Sequence, residues 1–199
     1  MNQEAAGDDY PQGIKLGVDV GTVRVGVAVC DPEGILATPL RTLERNVKKN
    51  TDVRILAGLA AGLGVVQIFV GLPRTLKGEE HASARMAEDY ARLLVEALEH
   101  GGFEVPVRLI DERLSTVTAH RNLHAAGMSS RNHRKVVDQV AAAGILQHAI
   151  DMQKARGTDV GSRVYAVSRA GQSGDATAED AEMAVPGENE QSSEHGRLQ

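Results

Sequence analysis

Three acidic residues stand where a folded chain gains little from a carboxylate: Asp19 inside an apolar run, Glu112 at the end of another, and Asp138 within a helical pattern. Each has an ordinary explanation, a helix cap or a pair with a neighbouring arginine. For Asp138, in the second turn of its helix, a favourable interaction with the helix dipole competes as well. A carboxylate on a packing face costs on the order of several kcal/mol unless it is paired or bound to a metal. Asp138 shares a stripe with Ala141, Ala142, Ile145, Ala149 and Met152, so it lies on a face expected to pack against a sheet. Taken together, the three acids favour a shared divalent-metal site. Hard oxygen donors with few histidines point to Mg2+ or Mn2+ rather than zinc. Such a site suits phosphodiester hydrolysis, in which two metals about 4 Å apart activate a water and stabilise the leaving oxygen. No nucleophilic serine or cysteine is needed.

The elements that must position these acids follow from hydrophobic periodicity. From Ile14 to Gly21 the side chains alternate, with Ile14, Leu16, Val18 and Val20 on one face and Lys15, Gly17 and Asp19 on the other. Gly21-Thr22 turns the chain, and Val25, Val27 and Val29 alternate with Gly26, Ala28 and Cys30, which reads as a hairpin. Its small-residue face leaves room above Asp19 for a metal and a phosphate. Ile35 to Thr38 enters a third strand that Pro39 should limit. A helix over 52–63, a strand over 65–70, a helix from Ser83 to the Gly101-Gly102 stop and a strand over 105–110 come next. A helix over 116–126 follows, with Ser115 its N-cap and Gly127 just past its end, and a last helix runs from Arg134 to about Lys154. This order predicts an α/β layer with an antiparallel hairpin edge and a parallel remainder.

Length and composition predict one domain over 13–156, a disordered N-terminus over 1–12 and an acidic, mostly disordered C-terminal tail over 157–199, where only 164–167 could add order. The formal charge of -5 is misleading, because residues 13–156 carry 19 basic against 16 acidic residues and both ends are acidic. The local field therefore leaves a nucleic-acid partner open. The single cysteine, Cys30, excludes an intramolecular disulfide and reads as a small hydrophobe. No signal sequence or membrane span is evident, so the sequence reads as a soluble cytoplasmic protein with no membrane partner.

Four motifs then resemble one family. Leu-Gly-Val-Asp19-Val-Gly-Thr-Val-Arg-Val-Gly-Val-Ala-Val, Val-Gly-Leu-Pro-Arg74, Asp-Glu112-Arg-Leu-Ser-Thr116 and Lys-Val-Val-Asp138-Gln-Val-Ala-Ala occur in the order found in the YqgF/RuvX family of RuvC-like, RNase H-fold nucleases. The resemblance covers about residues 13–153. It implies an α/β, RNase H-like (RuvC-like) five-stranded mixed sheet with helices packed on its faces, and a metal-binding catalytic triad of Asp19, Glu112 and Asp138. It also implies maturation of the 5′ end of pre-16S rRNA, with Holliday-junction resolution on branched DNA as the alternative. RuvC-type resolvases carry a fourth acid three residues past the third, where this chain has Ala141.

Arg24, Arg74, Lys77, Arg113, Arg131, Arg134 and Lys135 fall near strand ends or the start of the last helix and are expected to contact nucleic-acid phosphates. With no Trp, two Phe and three Tyr, no base-stacking platform is expected, so recognition should rest on backbone and shape. Two rival readings remain. An ATPase or sugar kinase of the actin-like superfamily would use Gly21 and Thr22 to cradle phosphate, but the chain lacks a second Asp-x-Gly-Thr element. A non-catalytic nucleic-acid binding module would follow if the acids were only structural. The sequence is compatible with a monomer or a homodimer; a resolvase requires the two-fold dimer, because it cuts two strands symmetrically.

Overall fold

The computed structural model describes residues 9–73, 81–111 and 131–166, by backbone alone at 81 and at 131–135. Within them a mixed sheet has the order β3-β2-β1-β4-β5-β6. Its strands are β1 (Lys15–Val20), β2 (Arg24–Cys30), β3 (Ala37–Glu44), β4 (Gln67–Leu72), β5 (Val107–Asp111) and β6 (Ser162–Val164). Helices α1 (Thr51–Gly62) and α2 (His81–His100) cover one face, and α3 (Arg131–Arg156) covers the other. The mixed α/β architecture implied by the resemblance is present, with a sixth strand added to the five expected.

The alternation in β1 becomes two cores. Leu16, Val18 and Val20 join Val25, Val27, Ile68 and Val70 beneath α1 and α2. Ala28, Cys30, Phe69 and Ile110 meet Ala142, Ile145, Leu146 and Ala149 of α3 on the opposite face. Full burial of each branched aliphatic side chain contributes about 1.5–3 kcal/mol, so both helix layers are held mainly by the sheet. Cys30 is buried and its Sγ accepts the Lys15 backbone N–H at 3.3 Å, consistent with a packing role.

Several boundaries differ from the sequence pattern. β3 continues through Pro39, because it is an edge strand and a bulge beside Val27 and Ala28 accommodates the residue that lacks an N–H. β4 starts and ends two residues late, since Gly71 and Leu72 pair with Ile110 and Asp111. α3 begins at Arg131 rather than Arg134. The ordered chain also runs past both expected domain limits: Asp9 bridges Thr158, and β6 pairs antiparallel with β5. The helix expected over 116–126 lies outside the described residues.

A polar network ties the added segment down. Gln67, fully buried, donates to both Asp159 carboxylate oxygens at 2.9 and 3.0 Å and accepts from Gln153 at 2.8 Å. Arg108 pairs with Asp159 at 2.8 Å and donates to the Val160 and Gly161 carbonyls. Lys15, only 2% exposed, lies nearby with its ammonium over the Tyr10 ring, and burial pulls its pKa below the usual lysine value. This network lies at the amino ends of β1 and β4, away from Asp19.

Candidate active site

β1, β4 and β5 are parallel neighbours, with Val18 opposite Val70 and Val70 opposite Leu109. Their carboxyl ends therefore share one edge of the sheet. Asp19 is the penultimate residue of β1, and Asp111 closes β5. Ligands of open α/β sheets gather outside such carboxyl ends. Asp19 is 5% exposed and belongs to the face covered by α3, as the alternation predicts.

The glycine opposite Asp19 explains how the helix reaches it. Gly26 is the cross-strand partner of Asp19. A Cβ at Gly26 would lie 2.0 Å from the Asp138 carbonyl oxygen and 2.4 Å from its carbon. Only a residue without a side chain lets the α3 backbone come this close. One pleat further along, a Cβ at Gly17 would meet the Ala142 carbonyl oxygen at 2.5 Å and the Leu146 Cβ at 2.6 Å. The space expected above these glycines is thus filled by α3. The small residues seat the helix and do not form an open approach for metal and phosphate.

That seating brings Asp138 beside the strand pair that carries Asp19. The helix is fixed in rotation by the next residue, where Gln139 donates from Nε2 to Thr42 Oγ1 at 3.1 Å. Asp138 itself accepts a hydrogen bond at Oδ2 from Arg24 Nε at 2.6 Å, with side-chain exposures of 24% and 21%. Arg24 opens β2 directly after the turn closed by the Gly21 N–H to the Arg24 carbonyl at 2.9 Å. Arg24, expected to contact phosphate, therefore also meets one of the expected metal ligands. The two residues are 114 positions apart, and no spacing pattern announces the pair.

Asp19 and Asp138 stand on elements that pack against each other, and both carry hard oxygen donors suited to a divalent ion. Glu112 follows Asp111 in sequence and lies outside the described residues, as do Arg74, Lys77 and Arg113. Arg131, Arg134 and Lys135 fall in the first turns of α3, but their side chains are outside the described set. Among the described residues no three His, Cys, Asp or Glu side chains form a metal-holding group, and the expected third ligand, Glu112, is not one of those residues. Asp19 and Asp138 fit such a site. Asp19 is nearly buried, while Asp138 reaches the rim, so one donor is anchored and the other is accessible from solvent.

A further acid is buried with no periodic pattern in the sequence to announce it. Asp52, in the first turn of α1, is buried and pairs with Arg45 at 3.0 Å while accepting the Asn46 N–H at 3.1 Å. The Arg45 guanidinium lies over the Tyr90 ring, 4.8 Å from its centroid, and burial beside Asp52 pushes the Tyr90 hydroxyl pKa up. This cluster belongs to the α1–α2 side of the sheet and braces the core. An acid at the second helical position is the only local signal for it.

Residues 13–152 match the family model described as "RuvX: Holliday junction resolvase". A relative from Kineococcus radiotolerans is 50% identical over 142 residues, 71% of this chain and 73% of that protein. One from Mycobacteroides abscessus is 46% identical over 152 residues, 76% and 89% of the two chains. Both carry the name "Putative pre-16S rRNA nuclease". A solved structure of T. thermophilus RuvC in complex with Holliday junction substrate aligns at a TM-score of 0.48 and 14% identity, covering 77% of this chain and 100% of that one.

Proposed function

The chain belongs to the RuvX family and is a nuclease, a phosphodiester hydrolase, and we propose that it processes the 5′ end of pre-16S rRNA with Mg2+ or Mn2+ held by Asp19, Glu112 and Asp138. The observation that carries this reading is the seating of Asp138 against Gly26, the cross-strand neighbour of Asp19. The Asp138 backbone thereby packs beside the strand pair that carries Asp19, near the carboxyl edge of a parallel strand set. A bound divalent ion supplies water activation and charge neutralisation at the scissile phosphate. Asp19, 5% exposed and paired across β1 and β2 with Gly26, gives that ion an anchored donor. Asp138, 24% exposed, is the donor a nucleic-acid strand can approach from solvent. Arg24, and with it Arg74, Lys77, Arg113, Arg131, Arg134 and Lys135, holds the backbone phosphates.

The RNA substrate is favoured by the names of relatives 46–50% identical to this chain. The family model's own description favours a four-way junction as the second reading. Against the junction stands Ala141, a 5%-exposed residue of α3, at the position where RuvC-type resolvases carry their fourth acid. An alanine methyl offers a metal no oxygen, so this position supplies no fourth ligand. The kinase-like reading lacks support, since the relatives are named nucleases.

The test incubates purified protein with labelled pre-16S 5′ leader RNA and with four-way junction DNA, in Mg2+, in Mn2+ and in EDTA. The proposal expects leader cleavage that needs the metal and is lost in Asp19→Asn. Cleavage of the junction alone would move the substrate to branched DNA. Equal cleavage by Asp19→Asn would remove the metal triad.

A further inference from the structure

Arg24 and a divalent ion make competing demands on one carboxylate. The guanidinium already bonds Asp138 Oδ2 through Nε at 2.6 Å, and neither side chain is sealed, at 21% and 24% exposed. Both backbones are fixed: Arg24 by the turn to Gly21 and by pairing with Glu44, Asp138 by its contact with Gly26 and by the Gln139 bond to Thr42. What can move is the Arg24 side chain. It is long and at the rim, and it sits one pleat from Gly26 on the face that carries Asp19.

A cation beside a carboxylate opposes the arrival of a second cation, in proportion to charge and inverse distance. A phosphodiester changes that balance. Its two non-bridging oxygens, which share one negative charge, can engage the guanidinium fork through two hydrogen bonds, where Asp138 takes one through Nε. Resting on the reading of Asp138 as a metal ligand, we propose that Arg24 couples metal binding to substrate binding. Before nucleic acid arrives, its guanidinium occupies Asp138 Oδ2 and lowers affinity for the divalent ion. A backbone phosphate then draws the guanidinium away and frees that oxygen. By linkage, nucleic acid and metal each tighten the other's binding. A catalytic site loaded mainly in the presence of substrate is the consequence.

The rival role for Arg24 is orientation. Hydrogen-bonded partners of metal ligands commonly raise affinity, and their loss weakens metal binding by about 10–100-fold. The two roles predict opposite signs. The experiment measures Mn2+ affinity of the full chain by titration calorimetry in wild type, Arg24→Gln, Arg24→Met, Arg24→Lys and Asp138→Asn, with no nucleic acid present. Coupling predicts that both neutral substitutions bind Mn2+ at least threefold more tightly than wild type, while Arg24→Lys stays within twofold of it. It also predicts that single-stranded pre-16S leader RNA tightens Mn2+ binding to wild type but not to Arg24→Gln. Equal or weaker binding by both neutral variants overturns the proposal and leaves the metal site standing. Wild-type affinity in Asp138→Asn overturns the metal reading of Asp138 and the coupling with it.

Discussion

Replacing Gly26 with alanine is the most specific perturbation of the site, because it adds one methyl group and no charge. The added Cβ would lie 2.0 Å from the Asp138 carbonyl oxygen, 2.4 Å from its carbon and 3.1 Å from the Gln139 nitrogen. All three are backbone atoms of a 26-residue helix, so no side chain can rotate away. Ordinary contact lies beyond about 3 Å, and the helix must therefore retreat by roughly 1 Å. Strain of this kind in a packed layer costs about 1–3 kcal/mol. In a domain of this size each kcal/mol lowers Tm by about 2–4 °C, which predicts a fall of roughly 2–12 °C. The same retreat moves Asp138 away from Asp19. A misplacement of about 1 Å at a catalytic group can lower activity by roughly 100-fold. Gly58 provides the control, since a Cβ there has nothing within 4 Å and the residue lies inside α1. Gly58→Ala should gain about 0.5–1 kcal/mol from helix propensity with unchanged cleavage. Thermal unfolding and metal-dependent cleavage are read on both variants. A Gly26→Ala protein with wild-type Tm and wild-type cleavage would refute the placement of α3.

Two further outcomes rest on other parts of the molecule. Arg45→Ala leaves Asp52 buried with its charge uncompensated, and urea unfolding should show a loss of about 3–5 kcal/mol. His148 has its pKa lowered by burial, and its buried Nε2 finds no hydrogen-bond partner among the described residues. Above the unfolded-state pKa of about 6.5 both states are neutral; below it the unfolded chain binds the proton first, so stability falls as pH drops from about 6.5 toward the lowered folded value. His148→Gln should flatten that part of the stability profile, read as Tm between pH 7 and pH 5.

The sequence made the faces of β1 and β2 legible, because period-two alternation states which residues share a side. It did not state what covers that side. The partner of Gly17 and Gly26 is a helix more than 100 residues later, and a run of small residues looks the same whether it faces solvent, a ligand or a backbone. The stripe through Asp138 was legible for the complementary reason: helical periodicity placed it with Ala142 and Ala149, and both are fully buried. β6 was nearly invisible, since three residues carry no period and its order comes from pairing with β5 and from the Asp159 network. The Arg45–Asp52 pair was missed because charged residues read as surface unless something else marks them as buried. Of the acids, Asp19 and Asp138 stand on adjacent elements, and residue type and pattern mark both.

The central claim is that these acids share a divalent ion, and crystals of the full chain grown with Mn2+ test it directly. Anomalous scattering should place manganese within about 2.0–2.6 Å of carboxylate oxygens from Asp19, Glu112 and Asp138. Manganese bound elsewhere, with Asp19 and Asp138 holding no ion at a saturating concentration, would contradict it.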